Sequence, residues 1–365
     1  MPSVVEVPKP ATFSAKLKQK LAQTQEKASR DFRSDVVTAI VDASVSDDIY
    51  DEDGDRCVKA LEQRLVELTG MEAALWTVSG TQGNQICLRT HLTQPPHSVL
   101  LDHRAHVHCW ESGALPVISQ ASTTTIKPKN GFTPPPTRVV SLENTLFGTI
   151  LPLAHAQEIS QYVRSLPQPE GQKPIAMHLD AARLFDGVIG EGMDLKAYAA
   201  CFDSMSICLA KGIGAPIGNV ILGKKAFIER VKWFRKMLGG GTRQPRMMAA
   251  AALSALEYTL PRFPIVHKMT KDAAKQLEAV GYKFSLPVQT NMIILDLEGA
   301  GIPAAAFVEY CAREKVVVFP MARLVFHHQT SETGVKNLIA ALTKLMADKK
   351  NGIALEDKKI SGGYS

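Results

Sequence analysis

Apolar positions Val58, Leu61, Leu65 and Leu68 recur at helical spacing and stop at Gly70, which predicts a helix over 58–68. From there short apolar runs alternate with amphipathic stretches. Runs at 73–78, 99–101, 138–142, 175–179, 205–209 and 219–222 read as strands, with helices expected over 81–91, 155–166 and 195–202. Such alternation argues for a mostly parallel α/β sheet covered on both faces. Polar, proline-bearing stretches at 127–136 and 166–174 read as surface loops. Helical patterns at 225–237 and 246–258 lead into a change of rhythm near Pro261. Beyond it a helix (270–280), a strand (291–297), a helix (304–314), two short strands (316–319, 323–326) and a final helix (331–348) suggest a smaller α+β unit. The domain division expected is a polar N-terminal extension at 1–30 with a short helix at 13–27, a large domain at 31–260, a small domain at 261–350 and a polar tail at 351–365.

Composition narrows the class. Hydrophobic residues make up 45% and charged residues 21% of the 365, ordinary for a soluble globular chain with ample core. The net charge of +6 owes much to lysines near the two ends, with no basic stripe interleaved with aromatics, so nucleic-acid binding is not expected. Six scattered cysteines, without a CxxC pair, read as reduced thiols rather than a disulfide frame or a zinc site. No apolar run is long enough to span a membrane, and neither end carries a recognised address, so a cytoplasmic protein is expected.

Three segments carry candidate chemistry. Ser204-Met-Ser-Ile-Cys-Leu-Ala-Lys211 delivers a lysine from an apolar strand into a turn containing Gly212, Gly214 and Gly218. Met177-His-Leu-Asp-Ala-Ala-Arg183 ends another strand with an aspartate and an arginine. Trp76-Thr-Val-Ser-Gly-Thr-Gln-Gly-Asn84 follows a strand and opens a helix, so backbone N–H groups at Gly80 and Thr81 would face an anion. Singly, each has a plain reading: a solvated loop lysine, a strand-end cap with its ion-pair partner, an ordinary capped turn. Together, in this order, they suit pyridoxal 5′-phosphate, which needs an amine for its Schiff base, a carboxylate opposite its pyridine nitrogen and a phosphate cradle. Arg183 and Arg323 are candidates for a bidentate grip on a substrate carboxylate.

Longer motifs then carry a resemblance. Phe32-Arg-Ser-Asp35, Asp47-Asp-Ile-Tyr50, Glu72-Ala-Ala-Leu75, Ser79-Gly-Thr81, Ala105-His106, Ser141-Leu-Glu-Asn-Thr145, His178-Leu-Asp-Ala-Ala-Arg183, the run from Cys208 to Gly218, and Arg235-Lys-Met-Leu-Gly-Gly-Gly241 with Arg243-Gln244 resemble the low-specificity L-threonine aldolases. These are fold-type I pyridoxal-phosphate enzymes, a family that includes related fungal alanine racemases. The resemblance runs from Phe32 to about Leu345 and implies a mostly parallel, seven-stranded-type large domain with a smaller C-terminal α+β domain. It implies Lys211 as the Schiff-base lysine, Asp180 as partner of the pyridine nitrogen and His106 as the imidazole stacked on the ring. Gly80, Thr81 and Arg243 would be phosphate ligands, with Arg243 reaching in from a neighbouring subunit. Ser34, Arg183 and Arg323 would clamp the substrate carboxylate, and Tyr50 would be lent by the neighbouring subunit of a homodimer or homotetramer.

Three departures bear on activity. Many members carry a histidine near the substrate hydroxyl where this chain has Leu146; a short segment after Thr38 is missing; and Ser46, Asp51 and Thr242 replace two glycines and a methionine. The expected reaction is cleavage of L-threonine or L-allo-threonine to glycine and acetaldehyde, with His106, His108 or a bound water taking the hydroxyl proton. The alternative keeps the cofactor and breaks the Cα–H bond instead, giving an alanine racemase, which needs no base for a hydroxyl. A non-enzymatic subunit is a third reading, opposed by the presence of every expected cofactor residue.

Overall fold

The computed structural model describes residues 48–49, 54–125, 135–167 and 170–355. The expected N-terminal extension and its helix, Ser34, the shortened stretch after Thr38, Ser46, Tyr50, Asp51, most of the 127–136 loop and most of the tail lie outside the described residues. The first described helix, α1 (Arg56–Thr69), starts where Asp55 accepts from the N–H groups of Cys57 and Val58 and ends at Gly70 in the left-handed region, with φ 71°. It buries Val58, Leu61 and Leu65 completely, as their spacing requires, each contributing roughly 1.5–3 kcal/mol.

Seven strands form the main sheet: β1 (Ala73–Thr77), β2 (Ser98–Leu101), β3 (Ser122–Thr125), β4 (Thr137–Glu143), β5 (Ala176–Asp180), β6 (Ser204–Cys208) and β7 (Asn219–Gly223), in the order β1-β7-β6-β5-β4-β2-β3. Only β7 runs against its neighbours. Its connection from β6, residues 209–218, holds no helix and simply turns back, so the pairing is antiparallel. Strands β6 and β7 are buried at every position, because helices cover both faces. The covering helices include α2 (Gly80–His91), α3 (His106–Cys109), α4 (Ala114–Ser119), α5 (Leu153–Ser165), α6 (Leu184–Glu191), α7 (Leu195–Ala199), α8 (Lys225–Met237) and α9 (Arg246–Thr259). The short helices α3, α4 and α6 and the edge strand β3 are absent from the sequence expectations; each is too short, or too polar in the case of β3, to set up a readable period.

A second sheet pairs β8 (Met292–Ile294) with β9 (Arg323–Val325), packed with α10 (Phe263–Val280), α11 (Ala304–Arg313) and α12 (Glu332–Lys350) around its own core of Phe307, Leu324, Phe326 and Leu342. Helix α10 begins at Phe263 rather than at 270, because Pro264 sits in its first turn, where a missing N–H costs nothing. The expected strand at 316–319 is not one: Val316 and Val318 are buried, but as anchors of a loop in this core. Strand β8 is shorter than 291–297, since Leu295 already bridges to Phe284. No helix among the described residues is long and apolar enough to cross a membrane.

Candidate active site

Strands β1, β2, β4, β5 and β6 are mutually parallel, so their carboxyl ends share one edge of the sheet. That edge is where an open α/β sheet offers a crevice to ligands. Ser79-Gly80-Thr81 follows β1, His106 follows β2, Glu143 ends β4, Asp180 ends β5 and Lys211 follows β6.

Asp180 is 3% exposed, and its carboxylate accepts from Asn84 Nδ2 at 2.8 Å and from Ala182 N–H at 3.1 Å. Asn84 lies one helical turn beyond Gly80 and reaches Asp180 because α2 lies directly on the sheet. The close approach occurs at Gly83, where a Cβ would overlap Asn219 Nδ2 and Ser206 Oγ. The same Asn84 amide donates to Glu111 Oε1 at 2.9 Å, and Gln85 Nε2 donates to Glu111 Oε2 at 2.6 Å. Glu111 also takes His106 Nδ1 at 2.9 Å, which leaves Nε2 as the ring nitrogen available to a ligand. One ligand atom each from His106, Glu111 and Asp180 lie within 4.8 Å of one another, and Asn84 already joins the two carboxylates.

The electrostatics follow from this crowding. Burial lowers the pKa of His106, but the bond to Glu111 and the charge of Asp180 outweigh it, and the net direction is upward. Burial, then the neighbouring Asp180 carboxylate, push Glu143 up to about 7, against the opposing effects of the His106 N–H and the Lys211 charge. Glu143 Oε2 accepts that N–H at 2.8 Å, tying β4 to the start of α3. Lys211 sits half-buried in the β6–β7 turn, which closes by the Leu209 N–H to Gly218 carbonyl bond (3.0 Å) and the Gly214 N–H to Lys211 carbonyl bond (2.8 Å). Gly218 has φ 116°, outside the range of ordinary side chains, and a Cβ there would meet Trp76 Nε1 at 2.7 Å.

At the start of α2, Ser79 caps the helix by accepting from the Gln82 N–H at 3.1 Å, while the first-turn N–H groups of Gly80 and Thr81 have no acceptor within the helix. Arg183 precedes α6, its N–H bonded to the Asn144 carbonyl at 3.3 Å. Arg323 opens β9 with its guanidinium 5.7 Å from the Phe319 ring centre. Arg243 is exposed, and its carbonyl accepts from the Asp48 N–H at 2.8 Å. Leu146 is half-buried and opens a tight turn, bridged to Thr149, that packs on Thr290 and Met292.

Thus Lys211, Asp180, His106, Gly80 and Thr81 gather at one edge. Four polar residues had escaped assignment: Asn84, Glu111, Glu143 and His178. Asn84, four residues after Gly80 on the helix, and His178, two before Asp180 on the strand, keep the face of the assigned residue, and Glu143 sits inside the Ser141–Thr145 motif. Glu111 has no such signal; only the fold brings it under His106.

A lysine after one parallel strand and a buried carboxylate ending the next, below a helix N-terminus, define a pyridoxal-phosphate enzyme of fold type I. Residues 31–300 match the β-eliminating lyase family model, and the chain belongs to that family, among its low-specificity threonine aldolase relatives. It is 36% identical to the low-specificity L-threonine aldolase of Candida albicans over 336 residues, covering 84% of this chain and 87% of that one. It is 31% identical to alanine racemase TOXG of Cochliobolus carbonum, covering 85% of each. The solved threonine aldolase of Leishmania major superposes with a TM-score of 0.68 at 15% identity, covering 89% of this chain and 99% of that one, and shares its fold. The protein is a lyase-family enzyme.

The residues present suit the family's cofactor. The Lys211 amine has no ion pair among the described residues, Asp180 is a buried acceptor held by two donors, and two uncommitted N–H groups cap α2. A buried carboxylate of this kind is costly unless a cation faces it, which a pyridinium would supply.

Proposed function

We propose that the chain cleaves L-threonine or L-allo-threonine to glycine and acetaldehyde. The observation that carries this reading is the meeting of Lys211, Asp180 and His106 at the carboxyl edge of the sheet, in a chain that belongs to the family. When bound, pyridoxal 5′-phosphate supplies an aldehyde for linkage to an amine and a protonated ring that accepts the electron pair left at the amino acid's α-carbon. Lys211 Nζ would anchor it, Asp180 would hold the proton of the pyridine nitrogen, and the N–H groups of Gly80 and Thr81, with the Thr81 hydroxyl, would take its phosphate. Arg183, Arg323 and Ser34 would grip the substrate carboxylate and so choose which bond stands perpendicular to the ring. His106 would lie on the ring face, with Nε2 directed to the β-hydroxyl proton; His108, two residues on, is exposed. Arg243 and Tyr50 would serve a neighbouring subunit's site in a homodimer or homotetramer, a reading supported by the exposed position of Arg243. A cytoplasmic enzyme of glycine supply, built as a large domain to about residue 260 and a small one to about 350, completes the proposal; the separate apolar core that runs from Val266 to Met346 supports that division.

A second reading, alanine racemisation, is favoured by one observation: Leu146, not an imidazole, stands after the Glu-Asn-Thr motif, and leucine cannot take a hydroxyl proton. Supplying threonine isomers and D- or L-alanine separately distinguishes the two. Glycine and acetaldehyde from threonine support the aldolase. Rapid alanine racemisation with no acetaldehyde from any threonine isomer overturns it.

A further inference from the structure

Behind Asp180 a line of polar groups runs between α2 and the sheet, and its hydrogen bonds point one way. Asn84 Nδ2 spends both of its protons on carboxylates, Asp180 Oδ2 and Glu111 Oε1. Its Oδ1 must therefore accept, and the partner is His178 Nε2 at 3.2 Å. His178 is wholly buried, and burial holds its pKa down at about 3, so the ring is neutral and its other nitrogen, Nδ1, must accept. The group beside Nδ1 is Ser204 Oγ at 2.9 Å, on the strand residue that pairs with His178 across β5 and β6. The Ser204 hydroxyl has one proton, which the unprotonated Nδ1 takes, so the Cys87 thiol beside the same side chain can only donate to it. His91 Nε2, 2.8 Å from the same oxygen, must then be the donor. His91 is itself kept neutral, its pKa lowered by burial to about 4, and its ring stacks on Phe227 with centres 4.5 Å apart.

We propose that His91, Ser204, His178 and Asn84 form a one-way hydrogen-bond chain that points its donors at Asp180 and so holds that carboxylate as the acceptor for the cofactor's pyridine nitrogen. Each is a positioning residue, acting through Asp180. The physical reason is polarisation: in a low-dielectric interior, successive aligned donors strengthen one another, and all stabilise the negative end. Asn84 is the branch point, since its amide also sets the Glu111 carboxylate on which His106 rests. A reversed Asn84 amide would face its oxygen to two carboxylates, and an imidazolium at His178 would place a cation in a wholly buried site.

This inference rests on the reading that places the cofactor's ring nitrogen at Asp180, and the experiment separates the two. The reconstituted holoenzyme is labelled with ¹⁵N-histidine, and Ser204→Ala, Ser204→Thr and His178→Gln are prepared beside it. Expected for the native enzyme is a neutral His178 protonated on Nε2, unchanged across neutral pH. Ser204→Ala should lose that single tautomer, weaken pyridoxal-phosphate binding about tenfold and lower kcat with KM little changed, and Ser204→Thr should restore all three. His178→Gln should weaken cofactor binding similarly while remaining folded by circular dichroism, which covers the case in which Ser204→Ala does not fold. An imidazolium or an Nδ1-protonated His178 in the native enzyme, or variants with native cofactor affinity and visible absorbance, would overturn the chain. Failure of the native protein to bind pyridoxal phosphate would instead overturn the cofactor reading.

Discussion

Glu143 and Asp180 are register partners across β4 and β5, so two carboxyl groups end adjacent strands at the same crevice. Their mutual repulsion, added to burial, raises Glu143 to about 7 from an ordinary 4.5. The folded chain therefore holds a proton that the unfolded chain releases between about pH 4.5 and 7, and stability from this group falls as pH rises through that window. Glu143→Gln should match the native cofactor-free protein near pH 4.5 and exceed it above pH 7, by up to ~3 kcal/mol. Urea unfolding at the two pH values reads the difference. Glu62, also raised to about 7 by burial, titrates alongside but is common to both proteins and cancels. A native protein as stable as the variant at pH 8 would contradict the assignment.

Gly83→Ala tests the close approach of α2 to the sheet. The added methyl meets Asn219 and Ser206, both buried and hydrogen-bonded to each other, so neither yields easily. A loss of about 1–3 kcal/mol is expected, with weaker cofactor binding because Asn84 moves with the helix. Thermal unfolding and cofactor titration measure the two effects.

Lys211→Ala and Asp180→Asn should separate anchoring from proton control. Lys211 makes no ion pair among the described residues, so its removal should change stability by no more than about 0.5 kcal/mol while abolishing borohydride-fixed cofactor and activity. Asp180→Asn should retain the fold and lose about 10²-fold or more in kcat. Mass spectrometry after borohydride treatment, and turnover assays, check both.

His267→Ala should destabilise more than either. His267 Nε2 meets Asp186 at 3.0 Å, both nearly inaccessible, and the other Asp186 oxygen lies beside Gly212 in the Lys211 turn. Removing the imidazole strands a buried carboxylate at a cost of about 3 kcal/mol. Replacing Asp186 as well, in Asp186→Leu/His267→Leu, should recover part of it, measured by urea unfolding.

Most of the sheet was readable from the chain. Strands β6 and β7 are continuous apolar runs, and α1 carries both its caps and its buried stripe in local sequence, so neighbours a few residues apart decide those elements. Lys211, Asp180, Gly80 and Thr81 were readable for a similar reason: each sits at the end of a strand that announces itself, and parallel strands bring such ends to one edge. Short elements such as α3, α4 and α6 were not, because one or two turns are too few to show a period and owe their shape to what they pack against. Glu111 is the sharpest case. Nothing near it marks it, and its carboxylate gains meaning only where Asn84, Gln85 and His106 converge from two other elements. Local patterning determined which segments form strands and which lysine and aspartate end them. The direction of the hydrogen bonds behind Asp180 was decided by tertiary structure alone, because a proton's position depends on every neighbour it meets in space.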